Sequence, residues 1–334
     1  MATLNSNNFH VSSALLAFGL AGGSAFMFVK LLVGELTPLQ LVTGRVAMAS
    51  LPLLVMMVIT GSDPRISARF LASVTLLAVT DTIAPYLLIA WSQLHVSSSM
   101  AALLISTMPL FTTLIASRTA KDETSTSTAI AGMVIGFLGI AVLTGPEALN
   151  VTNTSALGAF AVITAAACYA AGAVYSKSLM RSADPIGLSA IKLASATLIL
   201  VPLTAYLDGV QGYATLSSEG WLGLTAVGLV STGVGRCVYQ WVIGVAGSVR
   251  ASLVTYIIPV VALFLGWAVL DEPIGLRTIV GASLIISGVA SAMYGPQLTS
   301  RPRVKGFLRG TAPRLAAFKA VSKKPSRELT AAVK

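Results

Sequence analysis

Long apolar stretches alternate with short polar connections along most of the chain. At a rise of 1.5 Å per residue, a helix of roughly 20 residues crosses a hydrocarbon core about 30 Å thick. Ten stretches approach that length, and they predict an all-α polytopic membrane protein with ten transmembrane helices. The stretches are Ser12–Val33, Leu36–Ile59, Phe70–Trp91, Ser97–Ser117, Ser127–Leu143, Leu157–Ser176, Pro185–Leu207, Trp221–Val245, Ser248–Leu270 and Leu276–Tyr294.

The eighth stretch contains one arginine, Arg236, near its middle. An arginine at the centre of a membrane helix costs about 2.5–3.5 kcal/mol on insertion scales, so it must face a partner, a wet cavity or a ligand. Asp81 of the third stretch is predicted to lie within about 3 Å of the same depth. Two interpretations stay open: a structural ion pair, or a substrate site in which Arg236 binds a carboxylate and Asp81 binds an ammonium group or a proton.

Composition supports the membrane prediction, because 55% of the 334 residues are hydrophobic and only 10% are charged, against about a quarter in soluble domains. The net charge of +10 does not indicate nucleic-acid binding, since 10 of the 22 Lys and Arg residues follow Tyr294. We interpret residues 297–334 as a basic, flexible cytoplasmic tail that is attracted to anionic membrane lipids.

The basic residues between the stretches are distributed unevenly. With the amino terminus placed inside, seven lie in inner loops and two in outer loops, which predicts that both termini are cytoplasmic. The inner residues are Arg65, Arg69, Arg118, Lys121, Lys177, Arg181 and Arg250, and the outer ones are Lys30 and Arg277.

The two halves of the chain repeat a sparse pattern. An offset of about 147–150 residues superposes Lys30 on Lys177, Pro38 on Pro185, Arg45 on Lys192, Trp91 on Trp241, Pro109 on Pro259, Gly132 on Gly281 and Gly139 on Gly288. This predicts two five-helix repeats, residues 1–149 and 150–296. Because each unit has an odd number of spans, the copies are inverted in the membrane, which is typical of secondary transporters.

The chain resembles the drug/metabolite transporter superfamily, in its EamA-like branch. Three features carry the resemblance: ten spans in two halves, the Lys–Pro–Arg/Lys trio in the first hairpin of each half, and the proline in each fourth span. The resemblance covers about Ser12 to Pro296. It implies export of small metabolites, amino acids above all as in the YddG type, from the bacterial inner membrane.

Several residues near Arg236 are candidate substrate contacts. Gly228, Thr232, Gly235 and Tyr239 recur at helical spacing and form one small and polar face. Tyr86, Tyr239 and Tyr256 lie deep in their stretches, where a phenol needs a hydrogen-bond partner, so we predict that they line a cavity. We interpret Arg45 and Lys192 as lipid anchors or gate charges.

Prolines and glycines give a second set of candidates. Pro85 leaves the carbonyl of Asp81 without its helical donor, and Pro109 and Pro259 do the same for Ile105 and Thr255. These prolines are either packing kinks or hinges for alternating access. The GxxxG spacing of Gly132 and Gly136 predicts a close helix contact or a dimer-forming hairpin.

Enzymatic chemistry has little support. The two histidines, His10 and His95, and the two cysteines, Cys168 and Cys237, form no metal-binding or nucleophile motif, so we predict no catalytic residue, metal or cofactor. The expected partners are a small-molecule substrate and membrane lipids, and the protein is a monomer or a homodimer. Alternatives are a carrier of phosphorylated, nucleotide-linked or cationic drug-like compounds, and a polytopic receptor or scaffold.

Overall fold

A computed structural model describes residues 2–62, 64, 67–119, 127–144, 154–180 and 183–299. All regular secondary structure in this part is helical. The helices are α1 (Ala2–Leu32), α2 (Pro38–Ile59), α3 (Ala68–Ser92), α4 (residues 98–119), α5 (Ser127–Thr144), α6 (Thr154–Leu179), α7 (Pro185–Leu207), α8 (Ser218–Ala246), α9 (residues 248–270) and α10 (Leu276–Thr299).

Within the described residues, seven helices are long and apolar enough to cross a membrane: α1 to α4 and α6 to α8. Shorter apolar helical segments lie within α5, α9 and α10, at Val134–Leu143, Ile257–Leu270 and Leu276–Gly288. The all-α multi-pass architecture is therefore confirmed. The crossing of the membrane by all ten helices stays a prediction.

Three helices depart from α-helical geometry just before a proline. A π-helical segment, Val79–Ile83, precedes Pro85 in α3, a turn precedes Pro109 in α4, and a 3₁₀ segment, Ser252–Tyr256, precedes Pro259 in α9. Proline has no N–H and crowds the carbonyl four residues earlier, so the preceding turn must widen, tighten or break. The hinge role of these prolines stays a prediction.

Corresponding helices of the two halves make corresponding contacts. α1 packs on α9 and α8, and its counterpart α6 packs on α4 and α3. α2 contacts α8 as α7 contacts α3, while α2 and α7 pack along each other. This pattern is what a duplicated five-helix unit would give. The predicted boundary at residues 149 and 150, and residues 300–334 of the predicted tail, lie outside the described residues.

Polar contacts join the ends of α2 and α7 at both faces of the bundle. Thr37, the N-cap of α2, donates to the carboxylate of Asp208 at the end of α7. At the opposite end, Asp184, the N-cap of α7, accepts from Ser62 just beyond α2. Because Thr37 and Asp184 are related by the offset of 147, each N-cap fixes the end of the opposite helix in the same way.

The segment between α7 and α8 is fixed to the first half, and it sets where α8 begins. Tyr213 donates to the carbonyl of Gln40 at 2.6 Å, and its burial raises the pKa of this phenol to about 12. The carboxylate of Glu35 accepts from the N–H and the hydroxyl of Ser217, both at 2.9 Å. A carboxylate at a helix N-terminus stabilises it.

α5 and α10 meet through glycines. A Cβ on Gly139 would lie 2.9 Å from the carbonyl oxygen of Gly281, and one on Gly288 would lie 2.6 Å from the carbonyl oxygen of Gly132. The close helix contact predicted from the glycine spacing is therefore present within one chain.

Candidate functional site

Asp81 lies in the π-helical segment of α3 and is almost completely buried, at 3% exposed. Its carboxylate oxygen Oδ2 accepts from the ammonium nitrogen Nζ of Lys192 at 2.5 Å. α6 approaches this point through Gly172, where an added Cβ would lie 2.5 Å from the Cβ of Asp81. The wider turn and the missing side chain together place the carboxylate against α7.

Arg236 contacts the same aspartate from α8. Its Nη1 lies 3.6 Å from Oδ1 of Asp81, its Nη2 donates to the backbone carbonyl of Asp81, and its Nε donates to the hydroxyl of Tyr86 at 3.1 Å. Pro85 has no N–H to offer that carbonyl. The predicted meeting of Asp81 and Arg236 is therefore present, but Lys192 makes the shorter ion pair.

Arg45 completes the buried charges. Its Nε donates to the hydroxyl of Thr232 at 3.0 Å, and its guanidinium carbon lies 3.9 Å from the ring centroid of Tyr86. Arg45 is only 6% exposed and Lys192 is fully buried. The interpretation of these two cations as lipid anchors was wrong, because both side chains turn into the bundle, where polar partners replace the headgroups.

Three tyrosines surround the guanidinium of Arg236. Its central carbon lies 4.8 Å from the ring centroid of Tyr169, 5.4 Å from that of Tyr86 and 6.0 Å from that of Tyr239. These distances fall within the range of cation–π attraction. The aromatic rings therefore help to hold a cation that α8 alone could not keep in an apolar interior.

A cavity of about 90 Å³ opens beside these groups. A single water needs roughly 10–15 Å³, so the cavity has room for several waters or for the polar end of a small molecule. Its charged and aromatic wall is formed by Arg45 and Arg236 with Tyr86, Tyr169 and Tyr239, and Asp81 and Lys192 lie behind that wall. Gln93, Ser231 and Thr255 add uncharged polar groups. The remaining wall is mainly apolar and comes from α1, α3, α4 and α9, with Phe18, Phe26, Val29, Ile89, Met108 and Ile258.

Two polar side chains that line this cavity have fully buried polar atoms without a hydrogen-bond partner among the described residues. They are Tyr239, through its hydroxyl, and Gln93, through both amide atoms. Gln93 is fully buried. Buried polar groups in proteins normally have partners, so the hydroxyl of Tyr239 and the amide group of Gln93 are available to a ligand or to water.

The sequence-predicted candidates separate into groups. Arg236, Tyr86 and Tyr239 lie in the wall, whereas Asp81 and Thr232 lie behind it. Thr232 accepts from Arg45 and donates to the carbonyl of Val227 at 2.8 Å. The side chain of Tyr256 lies outside the part of the chain that the structure describes.

Sequence reasoning missed Arg45, Lys192, Tyr169 and Gln93 as members of this site. For Gln93 a signal was present, because it follows Tyr86 by seven residues and so shares its face of the helix. For Arg45 and Lys192, the signal was their equivalence in the repeat.

The sequence profile described as the EamA-like transporter family matches residues 11–145 and again residues 156–294. The uncharacterised transporter YoaV of Bacillus subtilis is 25% identical over 279 residues, which cover 84% of this chain and 95% of that protein. A probable terminal-alkyne amino-acid exporter of Streptantibioticus cattleyicolor is 26% identical, over 66% of this chain and 73% of its own. One crystal structure superposes with a TM-score of 0.62 at 17% identity, over 86% of this chain and 99% of that one, and shows the likeness of fold.

Proposed function

This chain belongs to the EamA-like transporter family, and from that premise we propose that it is a secondary transporter exporting small carboxylate-bearing metabolites, amino acids among them. Transport proceeds by alternating access across a bacterial inner membrane. Ten spans in two inverted halves, with both termini cytoplasmic, form the carrier. The observation that carries the proposal is the pair of buried guanidiniums, Arg45 and Arg236, in the wall of one cavity.

Both halves of the chain contribute residues to the wall of the cavity, which supports a role in transport. Arg45 and Tyr86 come from the first half of the chain, and Tyr169, Arg236 and Tyr239 come from the second. Secondary transporters with inverted repeats bind substrate near the midplane, where the repeats meet. A site shared by both halves can be exposed to either side when the halves rock against each other.

Within this proposal, Arg236 contacts the substrate carboxylate, and Tyr86 and Tyr239 contact the substrate beside it. Asp81, paired with Lys192, holds the guanidinium of Arg236 in position. An ammonium group of the substrate would reach Asp81 only when its ion pair with Lys192 opens. The similarity to a probable terminal-alkyne amino-acid exporter supports amino acids as one class of cargo.

A second candidate is a carrier of phosphorylated metabolites. The site holds three buried cations, Arg45, Lys192 and Arg236, of which the last two pair with Asp81, and phosphate sites use clusters of cations. The apolar remainder of the wall favours a carboxylate with a hydrophobic body instead, because sugar and nucleotide hydroxyls would find few partners there.

Counterflow in proteoliposomes tests the function. Labelled amino acids, phosphosugars and lipophilic cations are offered to vesicles containing the purified protein, and exchange of amino acids is expected. If no amino acid exchanges while a phosphosugar or a lipophilic cation does, the proposed cargo is wrong.

Replacement of Arg236 tests the site. Arg236→Ala should lower amino-acid exchange by about ten- to a hundredfold, because a hydrogen bond to a charged group contributes about 1.5–3 kcal/mol, and Arg236→Lys should retain part of the exchange. Arg69→Ala is the matched control, since Arg69 is exposed at the start of α3. Normal exchange by an assembled Arg236→Ala protein would show that Arg236 does not bind the substrate.

A further inference from the structure

The charges exposed to the cavity have one sign. Arg45 and Arg236 belong to its wall, and none of the described residues that line it is acidic. A ligand that enters therefore meets two guanidiniums, three tyrosine rings, the uncharged polar side chains of Gln93, Ser231 and Thr255, and an apolar surface. The wall offers a negative group strong partners and offers a positive group no carboxylate.

The nearest acid is already engaged. One carboxylate oxygen of Asp81 accepts from Lys192 at 2.5 Å, and the other lies 3.6 Å from Arg236. The backbone carbonyl of Asp81 also accepts from Arg236. To bind a substrate ammonium, Asp81 would have to leave a lysine that is itself fully buried, and that lysine would then lack a counter-charge.

The cluster retains an excess of positive charge, since it holds three buried cations, Arg45, Lys192 and Arg236, and the carboxylate of Asp81 pairs only with Lys192 and Arg236. An anion reduces that excess. A zwitterion does not, because its ammonium group lies one carbon from its carboxylate and is brought close to the same guanidiniums, where repulsion is weakly screened. The charge balance thus favours a ligand with one negative charge and no positive one.

Arg45 supplies the geometry for such a ligand. Its single described hydrogen bond uses Nε, so the two terminal nitrogens remain as a fork that matches the two oxygens of a carboxylate. The hydroxyl of Tyr239, buried without a described partner, faces the same cavity. The apolar wall along α1 and α9 then accommodates the body of the molecule.

We infer that the cavity recognises its cargo by a carboxylate and an apolar body, without an α-ammonium. Amphipathic monocarboxylates such as 2-oxo acids and N-acylated amino acids are bound at least as well as the amino acids that share their side chain. The inference rests on the proposed function and narrows its substrate class.

A series with one common body tests this inference on the full-length protein. The ligands are leucine, 4-methyl-2-oxopentanoate, N-acetylleucine, leucine methyl ester and 3-methylbutylamine, with isopentenyl phosphate as a phosphate probe. Affinity is measured by calorimetry in detergent, and exchange is measured separately in proteoliposomes. The oxo acid and the N-acetyl compound should bind as tightly as leucine or more tightly, whereas the ester and the amine should bind at least about tenfold more weakly.

Variants of Arg45 test whether the preference for carboxylates depends on the wall of the cavity. Arg45→Gln should weaken binding of every carboxylate by about tenfold or more and reduce the distinction between acid and ester, because Arg236 remains in the wall. Arg45→Lys should have an intermediate effect because it keeps the charge without the fork. Arg69→Gln, at an exposed site, should change nothing.

The outcomes separate the inference from the function. Leucine binding about tenfold more tightly than its oxo acid would show that the ammonium is recognised, and tighter binding of the phosphate would show a phosphate site; either overturns the inference. Binding in the expected order without exchange of any member would leave the inference standing and reject the proposed transport.

Discussion

Lys192 is the side chain on which the buried charges depend. It is fully buried on α7, and its ammonium nitrogen lies 2.5 Å from the carboxylate of Asp81 on α3. Burial of two charges is costly, and their attraction offsets that cost only while both are present. The pair thus fixes Asp81, and through Asp81 it fixes the guanidinium of Arg236, so Lys192 acts on the cavity without lining it.

A double-mutant cycle measures this dependence. Lys192→Met and Asp81→Asn should each destabilise the protein by about 3–5 kcal/mol, because each leaves a buried charge with fewer partners. The double variant should be more stable than the sum of the two changes predicts. Thermal unfolding in detergent gives the comparison.

The same cycle with Thr37→Ala and Asp208→Asn serves as a control, because that hydrogen bond lies at an exposed end of the bundle. Its coupling should be within the range of exposed polar pairs, about 1 kcal/mol or less. Additive effects of Lys192→Met and Asp81→Asn would show that the two residues do not act as a buried pair.

At the scale of helices, the site depends on two π-helical segments. Val79–Ile83 in α3 contains Asp81, and Ala226–Val234 in α8 contains Thr232 and precedes Arg236. A π-helical turn adds a residue to the helical repeat and rotates the side chains that follow it. Both polar segments are thereby turned toward α2 and α7, where Arg45 and Lys192 reach them.

Gly172 tests how closely α6 must approach α3. A Cβ there would lie 2.5 Å from the Cβ of Asp81, and overpacking costs about 1–3 kcal/mol. Gly172→Ala should therefore lower the melting temperature and the transport rate, although alanine is the better helix former by about 1 kcal/mol.

Gly275→Ala is the matched change, since nothing lies within 4 Å of a Cβ at that position. It should leave both quantities near those of the unmodified protein. An increase in stability in Gly172→Ala would mean that α6 can move away from Asp81 at no cost.

At the scale of the whole molecule, hydrogen bonds to two glutamates join connections that lie on the same face of the helical bundle. Glu272 accepts from the N–H groups of Ser98 and Ser99 at 2.6 and 3.0 Å, and so joins the α9–α10 connection to the start of α4. Glu35 joins the α1–α2 connection to the start of α8. These connections belong to the face that the positive charges predict to be external.

Cysteine labelling tests this assignment together with the ten-span prediction. In a variant without Cys168 and Cys237, cysteines replace Thr215 and Gly275 on the predicted outer face and Arg69 on the inner face, all exposed positions. An impermeant maleimide added to intact cells should label the first two and should label Arg69→Cys only after the membrane is opened. Different labelling of Thr215→Cys and Gly275→Cys would contradict the ten-span topology.

The sequence by itself determined the helices and the need for buried partners. Apolar stretches long enough to cross a membrane predicted where the helices lie, because in lipid the backbone must satisfy its own hydrogen bonds. Most boundaries differ by a few residues from those in the structure, but α1 begins at Ala2 and not at the predicted Ser12. The cost of Arg236 required a counter-charge, and depth alone identified Asp81.

Only the tertiary structure decided how those charges are shared. Lys192 takes the shorter bond to Asp81, Arg45 turns into the cavity, and Gln93 faces it without a described partner. These choices depend on how each helix is rotated and on which neighbour it meets. Rotation is set by distant packing, such as Gly172 against Asp81, and by the π-helical turns, neither of which follows from local hydrophobic pattern.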